Sequence, residues 1–451
     1  MAEAASERLI SLDVFRGMTI AGMVLVNNPG TSPVYWPLDH AEWNGLTPTD
    51  WIFPFFLFIV GVSISISLGR RKEQGVTGRT YVQIISRAAS IYLLGAAVSI
   101  IPFFQFQATD APDPLKMLVW LVFAVALFFL LLRNYKVAGV LVVIGVVGIV
   151  AFNVSGYNVV PYNFGTWRIA GVLQRISVCY LFASLIFLHT TWRQQLVLSI
   201  VLLLVYWALM TLVPVPGCEI TSMNDKACNL GAYVDRLIIT EPHMWRVAKV
   251  YDPEGILSTI PAIVTTLSGI LTGLWLRARP VREIEPGEVE APAVEVADNE
   301  FRLGKVAGMF FFGVVLLALG LIWNSYFPMN KSLWTSSYVL ATTGLALLIL
   351  GVCYWLIDIK AYVKWAWPFR VFGANALALF VFTGLFARMI AAYRVVGDDE
   401  KPVSVQRWIM QHVYLRIAQP IDASWMFAAS FILLWLLLMW LLYRRQIYVK
   451  V

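Results

Sequence analysis

Pro48-Thr-Asp-Trp-Ile-Phe-Pro-Phe-Phe-Leu-Phe-Ile-Val-Gly-Val-Ser-Ile-Ser-Ile-Ser-Leu-Gly69 decides how this chain is read. Beyond Asp50 the stretch carries no charge, and it is long enough to cross about 30 Å of hydrocarbon, for which roughly 20 apolar residues suffice. A helix apolar on all sides belongs in lipid or among other such helices. Working outward, segments of the same kind lie near 11–27, 81–103, 116–133, 137–153, 168–190, 196–213, 256–277, 306–326, 334–357, 369–391 and 424–442. Asp13 and Arg16 interrupt the first, and 137–153 is short. The pattern predicts an all-α polytopic integral membrane protein of eleven or twelve transmembrane helices, with both termini on the same side if there are twelve.

Composition agrees. Mean hydropathy is +0.72, and 59% of the residues are hydrophobic against 14% charged, whereas a soluble domain carries about 25% charged residues. The formal charge of +7 suits the positive-inside rule better than nucleic-acid binding, so no nucleic-acid partner is expected. Met1 to Glu7 is polar and acidic, and no cleavage site follows the first apolar segment, so no signal peptide is predicted. More than half of the Lys and Arg fall on loops that share a side with the N-terminus, which predicts cytoplasmic termini. The loop after the first helix then faces outward.

The predicted organisation is residues 1–277 with helices 1–8, a flexible acidic cytoplasmic linker over 278–305, and residues 306–451 with helices 9–12. The linker carries Glu-Ile-Glu-Pro-Gly-Glu-Val-Glu, which has no helical periodicity. A large outer loop spans 214–255. It holds Cys218 and Cys228, which either pair as a disulfide or remain thiols; Cys179 and Cys353 lie in apolar segments.

The outer loop 28–47 concentrates what apolar helices do not need. It contains His40, one of four histidines, together with Asp39, Glu42, several amides and a run of Pro and Gly. Such a loop beside hydrocarbon is the first place to look for chemistry. The other histidines, His189, His243 and His412, are scattered, so no metal site is predicted.

Inside the predicted helices lie Asp13, Arg16, Arg87, Gln174 and Arg175. A cation near the bilayer centre costs about 2.5 kcal/mol or more, so such residues face a polar cavity or a partner unless they snorkel to an interface. Several arginines suit an anion, because guanidinium holds phosphate through a fixed fork of donors. These residues are the candidate cofactor-binding set, Arg16 and Arg87 for an anionic end and Gln174 with Arg175 deeper.

The order of several blocks resembles a known family. Arg8-Leu-Ile-Ser-Leu-Asp-Val-Phe-Arg-Gly17, then His40-Ala-Glu-Trp-Asn-Gly-Leu-Thr-Pro-Thr-Asp50 running into Phe53, is similar to the heparan-alpha-glucosaminide N-acetyltransferase family. The similarity continues through Gly171-Val-Leu-Gln-Arg-Ile176, Asp252-Pro-Glu-Gly-Ile-Leu257, Lys331-Ser-Leu-Trp-Thr-Ser-Ser-Tyr-Val339 and Gly373-Ala-Asn-Ala-Leu377. The resemblance implies a transmembrane acetyltransferase that takes acetyl from cytosolic acetyl-CoA to the amine of a glucosamine-type sugar or glycan on the far face. It places the active histidine on His40 and its companion asparagine on Asn27. Asp50 is a further catalytic candidate, which orients His40 or binds the acceptor. Trp43, Asn44, Glu254, Trp334 and Asn375 are candidate substrate contacts.

The resemblance further suggests a bacterial inner-membrane homologue and, by analogy, a homodimer. His40 acts either as a general base or as an acyl carrier. Twelve helices with intramembrane charges also suit a secondary transporter of a small anionic or sugar solute, and the same pocket could serve a glycan hydroxyl. The missing internal repeat and the outer position of the polar cluster weigh against transport.

Overall fold

The computed structural model describes residues 9–278 and 291–449. Helix α1 (Ile10–Asn27) ends at the loop that carries His40, and α2 (Ile52–Gln74), entered through a tight turn at Pro48–Trp51, runs back. The chain then alternates through α3 (Gly78–Ile100), α4 (Asp113–Leu131), α5 (Tyr135–Val154), α6 (Val172–His189) and α7 (Trp192–Leu212). A short α8 (Leu230–Ile238) sits in the long loop before α9 (Thr259–Arg277). Next come α10 (Ala291–Trp323), α11 (Ser336–Cys353), α12 (Trp367–Ala374) and α13 (Ala376–Ala392). An antiparallel hairpin, β1 (Arg394–Val396) with β2 (Pro402–Ser404), leads through α14 (Val405–Ile409) to α15 (Pro420–Arg444).

Among the described residues, eleven helices are long and apolar enough to cross a membrane. The expected span at 369–391 is instead a broken pair, because α12 and α13 meet at 82°. The break falls at Asn375, whose side chain donates to the Ile447 carbonyl (2.9 Å) and accepts from the Val449 amide (2.8 Å). It satisfies backbone groups of the tail that follows the last helix. The stretch expected as a linker, 278–305, is helical over its second part. Residues 279–290 lie outside the described residues, but the chain is helical from Ala291, with Pro292 in the first turn where its missing N–H costs nothing.

Apolar side chains gain little by leaving lipid, so helices here must associate through close packing. One tight crossing joins α2 to α9. A Cβ built on Gly61 would lie 1.9 Å from the Thr266 carbonyl oxygen, and one on Gly269 would lie 2.0 Å from that of Phe58. Only glycine lets these backbones touch. Asp50 lies in the turn that leads directly into α2, so the crossing helps set where that carboxylate stands. The Tyr338 hydroxyl on α11 secures the position by donating to the Asp50 backbone carbonyl at 2.6 Å. Helices α5 and α10 contribute little to the interior and expose apolar faces, as lipid-facing helices do.

Candidate functional site

The loop between α1 and α2 is short of regular structure, yet its backbone is pinned. Gly45 N–H donates to the Met329 carbonyl (2.8 Å), and the side chain of Asn44 accepts at Oδ1 from Asn330 Nδ2 (3.1 Å) and donates from Nδ2 to Asn224 Oδ1 (2.7 Å). The Trp43 indole N–H donates to the Met223 carbonyl (2.9 Å), and its ring meets Tyr251 edge-on at 5.0 Å. His40 is thereby held at a junction of three loops, its side chain half exposed.

Asp50 is 1% exposed and divides its two oxygens between folding and chemistry. Oδ2 accepts from the Ala41 and Thr47 amides, both at 3.2 Å, and lies 3.0 Å from the Thr47 hydroxyl. This is the helix-start cap that an Asp after Thr-Pro provides. Oδ1 instead stands 2.7 Å from His40 Nδ1 and 3.4 Å from the Lys331 ammonium. A carboxylate on Nδ1 leaves Nε2 as the nitrogen that can take a proton or an acyl group. Sequence reasoning had Lys331 only inside a family block, and nothing local marks it; the signal is its distance to His40 in space.

Over this pair lies a cap. Cys218 and Cys228 form a disulfide within it. Arg168 bridges two loops, with Nε and Nη2 on Asp252 at 3.1 and 2.6 Å and Nη2 also on Glu254. Burial lowers the Arg168 pKa, but Glu254 and Asp252 outweigh it and hold the guanidinium above its ordinary value. Burial pushes the carboxyl of Asp235 on α8 up to about 6, although it accepts from the Ile256 (2.9 Å) and Asp252 (3.2 Å) amides. Between its ordinary value near 3.8 and about 6 the folded chain binds more protons than the unfolded one, so this contribution to stability falls as pH rises through that window. The cap is therefore expected to show more hydrogen-exchange protection at pH 5 than at pH 7, after correction for intrinsic rates. Asp235→Asn should remove the difference; equal protection in the parent at both values would refute the assignment.

Between α1, the start of α2 and Ile349 of α11 runs a cleft of about 220 Å³. One face of α1, Phe15, Met18, Gly22 and Val26, lines it, with Trp51 and Phe55 opposite. It ends at Pro37, Leu38, Pro48 and Thr49, in the same loop as His40. The Trp51 indole N–H is buried without a partner among the described residues. Asn27 closes α1 with an exposed side chain at that end.

The expected arginines do not converge. Arg16 pairs with Asp13 (3.3 Å) toward the other end of α1. Arg87 is exposed on α3, its guanidinium 5.3 Å from the Tyr180 ring. Arg175 and Gln174 are buried in the first turn of α6, near the cap. Arg175 binds the Gly255 carbonyl (3.0 Å) and Ser258, lies over Trp334 (5.1 Å), and leaves Nε and Nη1 without partners among the described residues. Trp334 is 1% exposed and packs on Phe53 and Tyr338. Asn375 stands at the far end of the bundle, since Gly373 meets the Asp13 backbone. The structure thus brings His40, Asp50, Trp43, Asn44 and Glu254 to one face and leaves Asn375, Arg16 and Arg87 elsewhere.

Fold and site together define a polytopic helical membrane protein with a histidine, carboxylate and lysine cluster, whose His40 loop also lines one end of a cleft between helices. Residues 8–162, which include His40 and Asp50, match the family model described as heparan-alpha-glucosaminide N-acetyltransferase, catalytic. Over 99% of its length the chain is 27% identical to the human heparan-alpha-glucosaminide N-acetyltransferase, of which it covers 60%, and 25% identical to the mouse protein of that name, of which it covers 61%. The chain therefore spans about 60% of the length of these curated relatives. The resemblance seen in the ordered blocks is borne out.

Proposed function

We propose that this chain transfers an acetyl group from acetyl-CoA to the amine of a glucosamine-type sugar or glycan, with His40 at the centre of the reaction. The observation that carries the reading is a half-exposed imidazole clamped through Nδ1 by a buried carboxylate, in the loop whose Pro37, Leu38, Pro48 and Thr49 line one end of an apolar cleft. The names of the relatives supply the reaction class.

A pantetheine arm is long, thin and uncharged, with amides that need partners. The cleft along α1 offers such an arm apolar walls and one unpaired donor, the Trp51 N–H. Asp13 and Arg16, at the other end of α1, are the groups that would meet the charged adenosine end. At the His40 end the thioester carbonyl meets the acceptor amine. Nε2 takes the amine proton as the nitrogen attacks, the C–S bond breaks, and the proton passes to the leaving thiolate. Positioned acid-base help of this kind contributes about 10² to 10⁴ in rate. Asn27 supplies an amide N–H for the oxyanion. Trp43 and Asn44 line the acceptor side, and Glu254 offers a carboxylate to its hydroxyls or ammonium.

The sidedness follows from two features. In the sequence-based topology more than half of the Lys and Arg fall on loops that share a side with the N-terminus, which supports a cytosolic placement of that side. The disulfide on the His40 face supports an oxidising compartment there, as outside a bacterial inner membrane.

The test is release of CoA thiol from acetyl-CoA by purified protein, with and without glucosamine, beside a His40→Ala variant. Glucosamine-stimulated release in the parent that falls at least about 100-fold in the variant is the expected result. No release with any amine, from protein shown to be folded, would overturn the reading and favour solute transport.

A further inference from the structure

His40 does not face Asp50 alone. Lys331 Nζ lies 3.0 Å from its Nδ1 and 3.4 Å from its Nε2. A donor in the ring plane, on the lone pair of one nitrogen, would stand far from the other. Similar distances to both put the ammonium over the face of the ring. Nδ1 keeps its in-plane contact with Asp50 Oδ1, the shorter one at 2.7 Å.

The turn that presents Lys331 is built to hold it. Asn330 is fully buried; its side chain accepts from the Leu333 amide (2.9 Å) and donates to Asn44 (3.1 Å), while its own amide donates to the Thr335 hydroxyl (3.0 Å). Trp334 adopts φ +52°, the left-handed region, at a cost of about 1–2 kcal/mol for a residue with a side chain. Its indole N–H on Thr265 (3.1 Å) and its aromatic packing keep it there. A strained turn held this firmly points to a role for what it aims.

We propose that Lys331 is a positioning residue for His40: its ammonium balances the buried Asp50 carboxylate and, stacked on the imidazole, holds the tautomer that presents Nε2 to the reacting groups. Without it, Asp50 loses the cation beside its Oδ1 and the ring loses the contact across its face. Burial lowers the Lys331 pKa below the ordinary lysine value, while Asp50 and Glu254 pull the other way. The role rests on the acetyl-transfer reading of the site, but the tautomer can be read without any substrate.

The experiment uses full-length protein labelled with ¹⁵N-histidine, as parent, Lys331→Met and Lys331→Arg, with His40→Gln to assign the His40 signals among the four histidines. The parent is expected to show the Nδ1–H tautomer at His40. Lys331→Met is expected to show a mixture of tautomers and to lose about 100-fold in kcat with little change in KM for glucosamine, and Lys331→Arg to regain about tenfold of that loss and restore the signature. An unchanged signature in Lys331→Met, or a loss confined to KM, would overturn the proposal. If the parent releases no CoA while the signature still depends on Lys331, the acetyl-transfer reading falls and the positioning of His40 by Lys331 stands.

Discussion

The Asp50→Asn variant is expected to release CoA about 10² to 10⁴ times more slowly than the parent, with nearly unchanged binding of acetyl-CoA. The reason lies in the division of labour between the two oxygens. Oδ2 accepts from the Ala41 and Thr47 amides, and Oδ1 faces His40 Nδ1 and Lys331. An asparagine has one acceptor and one donor end. Pointing its oxygen at the amides keeps the cap but turns an NH₂ toward His40 Nδ1, which then must accept and moves its hydrogen to Nε2. The nitrogen needed for proton transfer is lost. Pointing the oxygen at His40 instead sets NH₂ against two buried amides, each left unpaired at about 1–3 kcal/mol. Folding favours the first arrangement, so the variant should be stable and slow. Steady-state CoA release, paired with direct acetyl-CoA binding, separates the effects. A rate within a few-fold of the parent would show that Oδ1 has no part in the chemistry.

Gly269→Leu is expected to prevent the protein from being recovered as a monodisperse particle in detergent. The added Cβ would fall 2.0 Å from the Phe58 carbonyl oxygen and 3.1 Å from the Gly61 Cα, and both obstacles are backbone. Overpacking an interior that can adjust costs about 1–3 kcal/mol; here the helices themselves must part, so the cost is larger. Parting them also withdraws the start of α2, and with it Asp50, from His40. Gly304→Leu on α10 is the control, since a Cβ there meets nothing within 4 Å. Size-exclusion profiles and thermal midpoints of the two variants settle the matter. Equal stability would mean that α2 and α9 are not locked by this crossing.

Much of the site was legible in the chain because its residues are out of place by composition. His40 and Asp50 stand in a polar loop between apolar helices, and a carboxylate three residues after Thr47 reads as a helix-start cap whatever else it does. The second role of Asp50 was not legible as geometry, because it depends on which oxygen faces which neighbour. Arg175 shows the limit in the other direction. Its cost in an apolar helix is visible in sequence, but its partners, Gly255, Ser258 and the Trp334 ring, come from segments far along the chain. The expectation that it lines the deeper part of a slot whose anionic end is met by Arg16 and Arg87 counted charges without knowing which way each helix face points. In the folded chain α6 packs with α3, α9 and α2, but Arg87 lies on an exposed face of α3 and Arg16 pairs with Asp13 toward the other end of α1.

By itself the sequence determined that this is a polytopic helical membrane protein and where most of its helices run, because the cost of placing unpaired backbone or charge in hydrocarbon is local and large. It also determined the identity of the polar loop at the centre of the proposed site. Only the tertiary structure decided that the span near 369–391 is broken at Asn375, that Lys331 stacks on His40, and that one oxygen of Asp50 is committed to the fold and the other to the imidazole. Those outcomes rest on contacts between segments up to hundreds of residues apart, whose energies are set by angles and distances that no local pattern records.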